Sequence, residues 1–199
     1  FIAVFLLLSF WKNSTENYYS EIMKNDLTEG RMAFEKQLDI MCAGAFSVSN
    51  DSDLKWVYFL DGLKDGDNNI AALIRCNDML RQTFADSEHY QNYSVIMKNE
   101  LIFRKSGMVV GDKFFYDNYC TYQNTDFETW RKQSFESNTW QLFPLEEIDT
   151  GERTFQAMTF SYPVRNYIQQ EPEANAVVQF LLSKENLEQM FGQLLSRQG

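Results

Sequence analysis

The stretch "RTFQAMTFSYPV", residues Arg153–Val164, decides the fold of this 199-residue chain. Two sets of side chains alternate along it: Gln156, Met158, Phe160, Tyr162 and Val164 in one set, and Ala157, Thr159 and Ser161 in the other. Successive side chains of a strand point to opposite faces of a sheet, so the stretch predicts a two-faced antiparallel strand. The mostly apolar run "AVVQFLL", residues 176–182, follows it and is suited to a central strand.

The segment before this strand predicts further strands. "YSVIM" (93–97) and "LIFRK" (101–105) flank the short polar turn 98–100, which is typical of a hairpin. "MVVG" (108–111) and "KFFYDNY" (113–119) are expected to continue the extended region. A loop that contains Pro144 and "DTGER" is expected to lead into the deciding strand.

Apolar stripes with helical spacing predict the helices. One long N-terminal helix carries Tyr19, Met23, Leu27, Phe34, Leu38, Met41 and Ala45. Residues 47–69 are expected to form a loop or a short helix, and a second helix over residues 70–84 carries Ile70, Leu73, Ile74, Leu80 and Phe84. Asp126 is expected to cap a short helix, "FETWRKQSF", and Ser183 a last helix with Leu187, Met190, Phe191, Leu194 and Leu195 on its stripe. The order of elements indicates the α+β class, with a long N-terminal helix packed on a single antiparallel sheet and a C-terminal helix.

Composition and charge argue against several classes of partner and of site. The formal net charge of −10 argues against a nucleic-acid partner, which needs a Lys/Arg footprint, and against docking of the domain body on anionic lipid. Cys42, Cys76 and Cys120 are widely spaced and contain no CxxC pair, so neither a disulfide framework nor a zinc site is expected. We expect three free buried thiols; one disulfide bridge plus a free thiol is the alternative.

The first ten residues, "FIAVFLLLSF", are apolar except for Ser9, and Trp11 and Lys12 follow them. The run has about half of the roughly 20 residues that a membrane span needs, and it lacks the basic start and cleavage site of a signal peptide. It begins with Phe rather than Met, and its aromatic-plus-basic end is typical of a membrane interface. We expect residues 1–12 to be the outer end of a truncated transmembrane helix. A hydrophobic helix packed inside a domain or at a dimer contact is the alternative.

The motifs of common enzymes are missing from the sequence. His89 is the one histidine, which rules out a multi-histidine metal site, and the phosphate-loop, Rossmann, zinc-protease and G-x-S-x-G patterns are absent. Glu146, Glu147 and Asp149 are neighbouring acids, which we expect in a solvated turn rather than as a glycosidase pair. The chain is therefore expected to be no enzyme and to use no cofactor and no metal.

The segment "KFFYDNYCTYQNTDFETWRKQ", residues 113–133, concentrates aromatic and polar side chains. Aromatic walls with a few polar groups are typical of a small-molecule pocket, and two aromatics of the later strand are expected to complete the same wall. The candidate ligand-binding residues are Tyr116, Asp117, Tyr119, Trp130, Arg131, Phe160 and Tyr162. Arg104 is a further candidate for pairing with an acidic ligand group, although such an Arg is more often exposed. The alternative is that the aromatics cover the sheet as core.

These features together resemble the extracytoplasmic Cache-type sensor domains of bacterial membrane receptors, which have a PAS-like fold. The matching features are the apolar start with its long helix, the hairpin "YSVIMKNELIFR", "FFYDNY" followed by "FETWRKQ", and "TFSYPV" followed by "NAVVQFLLSKENLEQMFGQL". The likeness covers nearly the whole chain. It is strongest to membrane-anchored AraC-type transcription regulators and to their relatives among sensor histidine kinases.

The resemblance implies that residues 13–199 form a sensor domain on the outer side of the cell membrane. Such a domain would bind a small molecule, sugar-like or an organic acid, and pass the change through its first and last helices to an output domain. The resemblance also implies attachment to the membrane through flanking spans and a homodimer formed through the N-terminal helix. The alternative is a ligand-free structural or dimerisation module of a membrane protein, and a secreted hydrolase is a weaker third.

Overall fold

The computed structural model describes residues 2–57, 66–84, 90, 92–165 and 174–191. The model describes only the backbone for residues 2–20, 22, 23, 56 and 66–69. The helices are α1 (Ile2–Asn50), α2 (Ser52–Val57), α3 (Gly66–Thr83), α4 (Asp112–Tyr119), α5 (Phe127–Glu136) and α6 (Lys184–Phe191). The strands are β1 (Asn92–Met97), β2 (Leu101–Arg104), β3 (Gly107–Val110), β4 (Thr121–Tyr122), β5 (Gln141–Asp149), β6 (Thr154–Val164) and β7 (Ala176–Ser183).

The strands of the described chain form one antiparallel sheet in the order β3-β2-β1-β7-β6-β5-β4. The predicted central strand, β7, does lie at its centre, where Gln179 pairs with Ser94 of β1 and Phe180 with Phe160 of β6. Every residue of β7 is buried, as expected for a strand covered on both faces. The predicted α+β class and the predicted hairpin of β1 and β2 are confirmed.

The chain divides into two compact units, one of residues 1–38 and 187–199 and the other of residues 39–186. In the first unit the rings of Phe34 and Phe191 lie 6.3 Å apart, whereas Leu27, predicted on the apolar stripe, is 53% exposed. The side chains of Tyr19 and Met23, and the predicted helix residues Leu194 and Leu195, lie outside the described residues. No helix in the described part of the chain is long and apolar enough to span a bilayer. The assignment of residues 1–12 to the end of a span stays a prediction.

One face of the sheet in the second unit, here called the helix face, packs against α1 and α3. Met41, Ala45 and Val48 of α1 are completely buried. Phe84, at the end of α3, contacts the α1 backbone at Gly44, and its ring lies 5.2 Å from that of Phe180 on β7. The apolar stripe that the sequence predicts for the last turns of α1 therefore forms part of the core.

The other face, here called the insert face, is covered by the segment between β3 and β5. Buried side chains of α4 and α5 pack there on buried side chains of six strands. They include Phe115, Trp130 and Phe135 from the helices and Ile96, Ile102, Ala157, Val177 and Leu181 from the strands. The sheet thus has a separate apolar core on each side.

Residues 113–119, predicted to be extended, form the helix α4. The segment contains four aromatic residues, a composition that favours strands, but its burial follows a helical pattern with Phe115 and Tyr116 inside. Gly111, at φ 93°, ends the extended course of β3, and Lys113 pairs with Asp117 one helical turn later at 2.6 Å. Tertiary burial and this turn outweigh the strand propensity.

The segment around Pro144, predicted to be a loop, is part of the strand β5. The register between β5 and β6 shifts between Phe143 and Glu146, which is where a proline without a backbone N–H is tolerated. Glu146, Glu147 and Asp149 therefore lie on a strand and not in a solvated turn.

The predicted stripe of the second helix is correct in part. Leu73, Leu80 and Phe84 are buried, but Ile70 and Ile74 are 55% and 56% exposed, because the buried face runs through Cys76 instead. Cys42, Cys76 and Cys120 are all free, as predicted, but only Cys76 and Cys120 are buried and Cys42 is half-buried. The short helix expected within residues 47–69 is α2, while residues 58–65 and His89 lie outside the described residues.

Candidate functional site

The insert between β3 and β5 places the predicted aromatic residues on the insert face. Asp126 caps α5 by accepting a hydrogen bond of 2.8 Å from the backbone N–H of Thr129, as predicted. α5 is also tied to the sheet through a buried polar contact, since the Gln179 amide donates to the Ser134 hydroxyl at 2.9 Å. These contacts fix the orientation of α5 and of the side chains that it buries.

Tyr116 and Trp130, two predicted walls of a pocket, are in contact. Their ring centroids lie 5.4 Å apart, and the Tyr116 ring also lies 5.7 Å from Phe127 and 6.4 Å from Tyr122. Both residues are buried, and the Tyr116 hydroxyl donates to the backbone carbonyl of Thr125. Most of this aromatic surface is therefore occupied by neighbouring rings.

Phe160 and Tyr162, predicted to complete the same wall, lie on the helix face instead. Phe160 packs against Phe180 at a ring distance of 6.0 Å, and Tyr162 shares its face because side chains alternate along β6. Ala157 and Thr159, the small residues of the alternation, are the ones that meet the insert. The prediction that Phe160 and Tyr162 form one wall together with the aromatic residues of the insert is therefore wrong.

The remaining predicted residues serve other contacts. Asp117 is exposed and paired with Lys113, and Arg131 donates through Nε to the buried carboxylate of Asp112. Tyr119 is half-buried, and its ring lies 3.9 Å from Cζ of Arg104. The charges of Asp117 and Arg131 are therefore both engaged in ion pairs with neighbouring side chains.

A cavity of about 140 Å³ lies between α5 and the irregular part of β5. Its lining residues are Tyr122, Thr125, Trp130, Gln133, Phe143, Pro144 and Glu146. Thr125 Oγ1 donates to Glu146 Oε1 at 3.0 Å, and Tyr122 shares a hydrogen bond of 2.8 Å with Thr159. Burial raises the pKa of Tyr122 well above its ordinary value, so its hydroxyl stays protonated.

Trp130, which lines this cavity, has an unpaired polar atom in its side chain. The residue is 3% exposed, and among the described residues its Nε1 has no hydrogen-bond partner. A buried indole N–H without an acceptor is unfavourable by about 1–3 kcal/mol. Sequence reasoning identified Trp130 but not Phe143 and Glu146, because it placed the β5 segment in a loop.

A second, larger cleft of about 600 Å³ lies at the end of the sheet where Arg104 is located. It is lined by Asn92, Arg104, Lys105, Ser106, Thr150, Glu152, Arg153 and Phe155. Arg104, expected to be exposed, is 6% exposed and pairs with Glu152 through Nη2 and Oε1 at 3.3 Å. Among the described residues, the two cavities have no lining residue in common.

The described residues present little reactive chemistry near these cavities. Burial raises the pKa of the Cys120 thiol to about 12, which keeps it protonated and weakly nucleophilic at neutral pH. Groups of three or more His, Cys, Asp or Glu side chains suited to a metal ion do not occur among the described residues.

Comparison with known proteins finds similarity at the level of structure alone. Models of protein families give no match to the chain, and neither do curated proteins. The extracellular domain of a protein described as a histidine kinase matches 90% of this chain and 62% of its own, with a TM-score of 0.58 and 11% identity. The periplasmic sensory domain of a Campylobacter jejuni chemoreceptor matches 94% of this chain and 66% of its own, with a TM-score of 0.57 and 12% identity.

A third similar structure is a domain of a sensory box/GGDEF family protein from Vibrio parahaemolyticus. It matches 88% of this chain and 64% of its own, with a TM-score of 0.57 and 12% identity. This chain therefore spans less than two thirds of the length of each of these structures. At such identities the likeness establishes a common fold, which in two of the three belongs to extracellular or periplasmic domains of signalling receptors.

Proposed function

We propose that this chain is the extracytoplasmic sensor domain of a membrane signalling receptor, with a small ligand held in the Trp130 cavity. The observation that carries the proposal is the buried, unpaired Nε1 of Trp130, a residue that lines a cavity, in a fold found in sensory domains. A ligand that offers an acceptor would satisfy Nε1, and a donor on the same ligand would bind the Glu146 carboxylate beside Thr125. The role is one of binding, without chemical conversion of the ligand.

The size of the cavity limits the ligand in the conformation described. A cavity of roughly 150 Å³ holds a molecule of about six non-hydrogen atoms, such as benzene. The Trp130 cavity, at about 140 Å³, is of that size. A sugar-like ligand would require α5 to move away from β5, whereas a small organic molecule would fit without such movement.

A contact path leads from the cavity towards the C-terminal helix. Ser134 donates to the carbonyl of Trp130 and accepts from Gln179 of β7, and the same strand ends at Ser183, which caps α6 through the N–H of Asn186 at 3.2 Å. A ligand that alters the position of Trp130 would therefore act on the strand that enters the terminal helix. It would transmit a signal only if it bound one of two arrangements more tightly than the other.

The membrane context forms part of the same proposal. We propose attachment through spans that flank the domain and a homodimer formed through α1, with no nucleic acid bound by this chain. In the second unit, Ile40 and Phe46 of α1 are 40% and 62% exposed, and such apolar exposure on a long helix supports a helix-mediated contact. The output domain is open: the three similar structures come from a histidine kinase, a sensory box/GGDEF protein and a chemoreceptor, which lends no support to the AraC-type version.

The rival proposal is a structural or dimerisation module without a ligand. It is favoured by the close packing of Tyr116, Phe127 and Trp130 against one another. If these rings only complete the core, the cavity is a packing defect and no small molecule stabilises the domain.

The two proposals are separated by a thermal-shift screen with sugars, organic acids and amino acids. A ligand at a hundred times its Kd adds about 2.7 kcal/mol of stability, which raises the Tm of a chain of this size by roughly 5–10 °C. Trp130→Phe keeps most of the ring but removes Nε1, and it is preferable to Trp130→Ala, which costs about 3–5 kcal/mol. We expect Trp130→Phe to abolish most of the ligand-induced shift.

Trp140→Phe is the matched control, because Trp140 is 47% exposed and stacks on Phe160 of the helix face. It should leave the shift unchanged. A shift equally large in Trp130→Phe would place the ligand elsewhere, and a folded protein that no compound stabilises would favour the structural module.

A further inference from the structure

Arg104 is a buried cation whose acidic partner is exposed to solvent. The side chain of Arg104 is 8% exposed, while that of Glu152 is 74% exposed. The guanidinium is held in place because its Cζ lies 3.9 Å from the centre of the Tyr119 ring, and Tyr119 belongs to the last turn of α4. The arginine is therefore fixed, and the exposed glutamate has the greater freedom to move.

The ion pair between these residues uses little of the binding capacity of the guanidinium. Among the described residues Arg104 makes one side-chain hydrogen bond, from Nη2 to Oε1 of Glu152, at 3.3 Å. Charge-assisted hydrogen bonds are usually about 2.7–2.9 Å long, and arginine can hold a carboxylate through two parallel bonds. A long, single contact from a buried arginine leaves room for a better carboxylate partner.

The cleft around Arg104 has the opposite sign of charge from the whole chain. Among the described residues that line it, Arg104, Lys105 and Arg153 are cationic and Glu152 is acidic, whereas the chain carries a net charge of −10. A local excess of positive charge in a concave site raises the local concentration of small anions. Phe155 adds an apolar surface, and Arg153 lies 4.9 Å from its ring.

We propose that this cleft binds a small carboxylate, which replaces Glu152 on the guanidinium of Arg104. Glu152 is then an internal carboxylate that occupies the site until a ligand displaces it. Arg153 and Lys105 would attract a second carboxylate group, and Phe155 would contact the carbon chain of the ligand. The site is separate from the Trp130 cavity, and its observations do not depend on the function proposed for that cavity.

The test uses sodium succinate as the probe and inorganic phosphate at equal ionic strength as the comparison. Binding to the whole chain is measured by calorimetry, and the Nε–H signal of Arg104 is followed by NMR. We expect succinate to bind and to shift this signal. Arg104→Lys keeps the charge but loses the two-pronged donor, so succinate binding should weaken by at least about tenfold.

Glu152→Gln removes the internal competitor at an exposed position, so the variant should fold normally and bind succinate several-fold more tightly. Glu136→Gln is the matched control, since Glu136 is exposed on α5 and is not among the residues lining this cleft, and it should bind as the natural chain does. Unchanged binding in Glu152→Gln would overturn the proposal, as would the absence of succinate binding. Equally tight binding of phosphate would also overturn it, because the cleft would then be a general anion patch. Stabilisation by succinate that persists in Trp130→Phe would belong to this cleft and not to the Trp130 cavity.

Discussion

At the scale of single residues, Gly151 holds the turn between β5 and β6 against α4. Its φ of 75° is a backbone conformation that other residues rarely adopt, and its N–H donates to the carboxylate of Asp149 at 2.8 Å. A Cβ at this position would collide with the carbonyl oxygen of Asn118 in α4. The same turn carries Glu152 and Arg153, so this close approach positions two of the charges in the Arg104 cleft.

Gly151→Ala is therefore expected to be more destabilising than Gly111→Ala. Gly111 also has a positive φ, 93°, but a Cβ there would lie at an ordinary 3.6 Å from Phe114. Both variants suffer backbone strain, and Gly151→Ala alone adds a steric clash, which typically costs on the order of 1–3 kcal/mol. Urea unfolding of the two variants measures the difference, and equal losses would show that the turn moves away from α4 without cost.

At the scale of elements, the sequence correctly predicts the helices and strands whose residue pattern agrees with the burial of their side chains. The hairpin of β1 and β2 and the caps at Asp126 and Ser183 follow from local signals, and all are present. α4 and β5 were predicted wrongly because local propensity and tertiary context disagree there. The aromatic run of α4 favours a strand, but its packing on the sheet stabilises a helix. Pro144 favours a break, but a shift of register allows β5 to continue through it.

The cap of α5 gives a prediction about pH. The hydrogen bonds from Thr129 lower the pKa of Asp126, because they stabilise its ionised form. A carboxylate with a lowered pKa in the folded state stabilises the protein above its unfolded pKa, and this contribution is lost as pH falls through the folded value. We expect Asp126→Ala to lower the Tm by a few degrees at pH 7, and by less below about pH 4.

Asp126→Asn is the control, since its side chain keeps a neutral acceptor for the N–H of Thr129. Its cap should not depend on pH in this range. Thermal unfolding at pH 7 and pH 3 measures both variants. An identical pH dependence of the Tm in the natural chain and in Asp126→Asn would mean that the ionised carboxylate does not stabilise α5.

At the scale of the whole molecule, the sequence predicts the class and the central strand but only part of the candidate site. Tyr116 and Trp130 share a short segment with aromatic composition and their rings are in contact, whereas their role as walls of a ligand pocket stays a prediction. Phe160 was placed on the wrong face, since alternation along β6 shows that there are two faces but not which one meets the insert. The burial of Arg104 could not be predicted either, because it depends on Tyr119 and Glu152, which are distant in sequence.

The division of the chain into two units predicts that residues 39–186 fold without the rest. Both cores of the sheet lie within this range, the one on the helix face through Met41, Ala45 and Val48, and the one on the insert face through α4 and α5. A fragment of residues 39–186 should keep its circular dichroism spectrum and unfold cooperatively. A fragment of residues 51–186 is the control, because it lacks the buried turns of α1.

Burial of Met41 and Val48 together contributes about 3–6 kcal/mol, a large part of the roughly 5–15 kcal/mol by which a domain is stable. The shorter fragment should therefore lose cooperative unfolding, while the longer one retains it. Loss of cooperativity in both fragments would mean that residues 1–38 or 187–199 are required for the sheet to fold. Retention in both would mean that the last turns of α1 add little to the core.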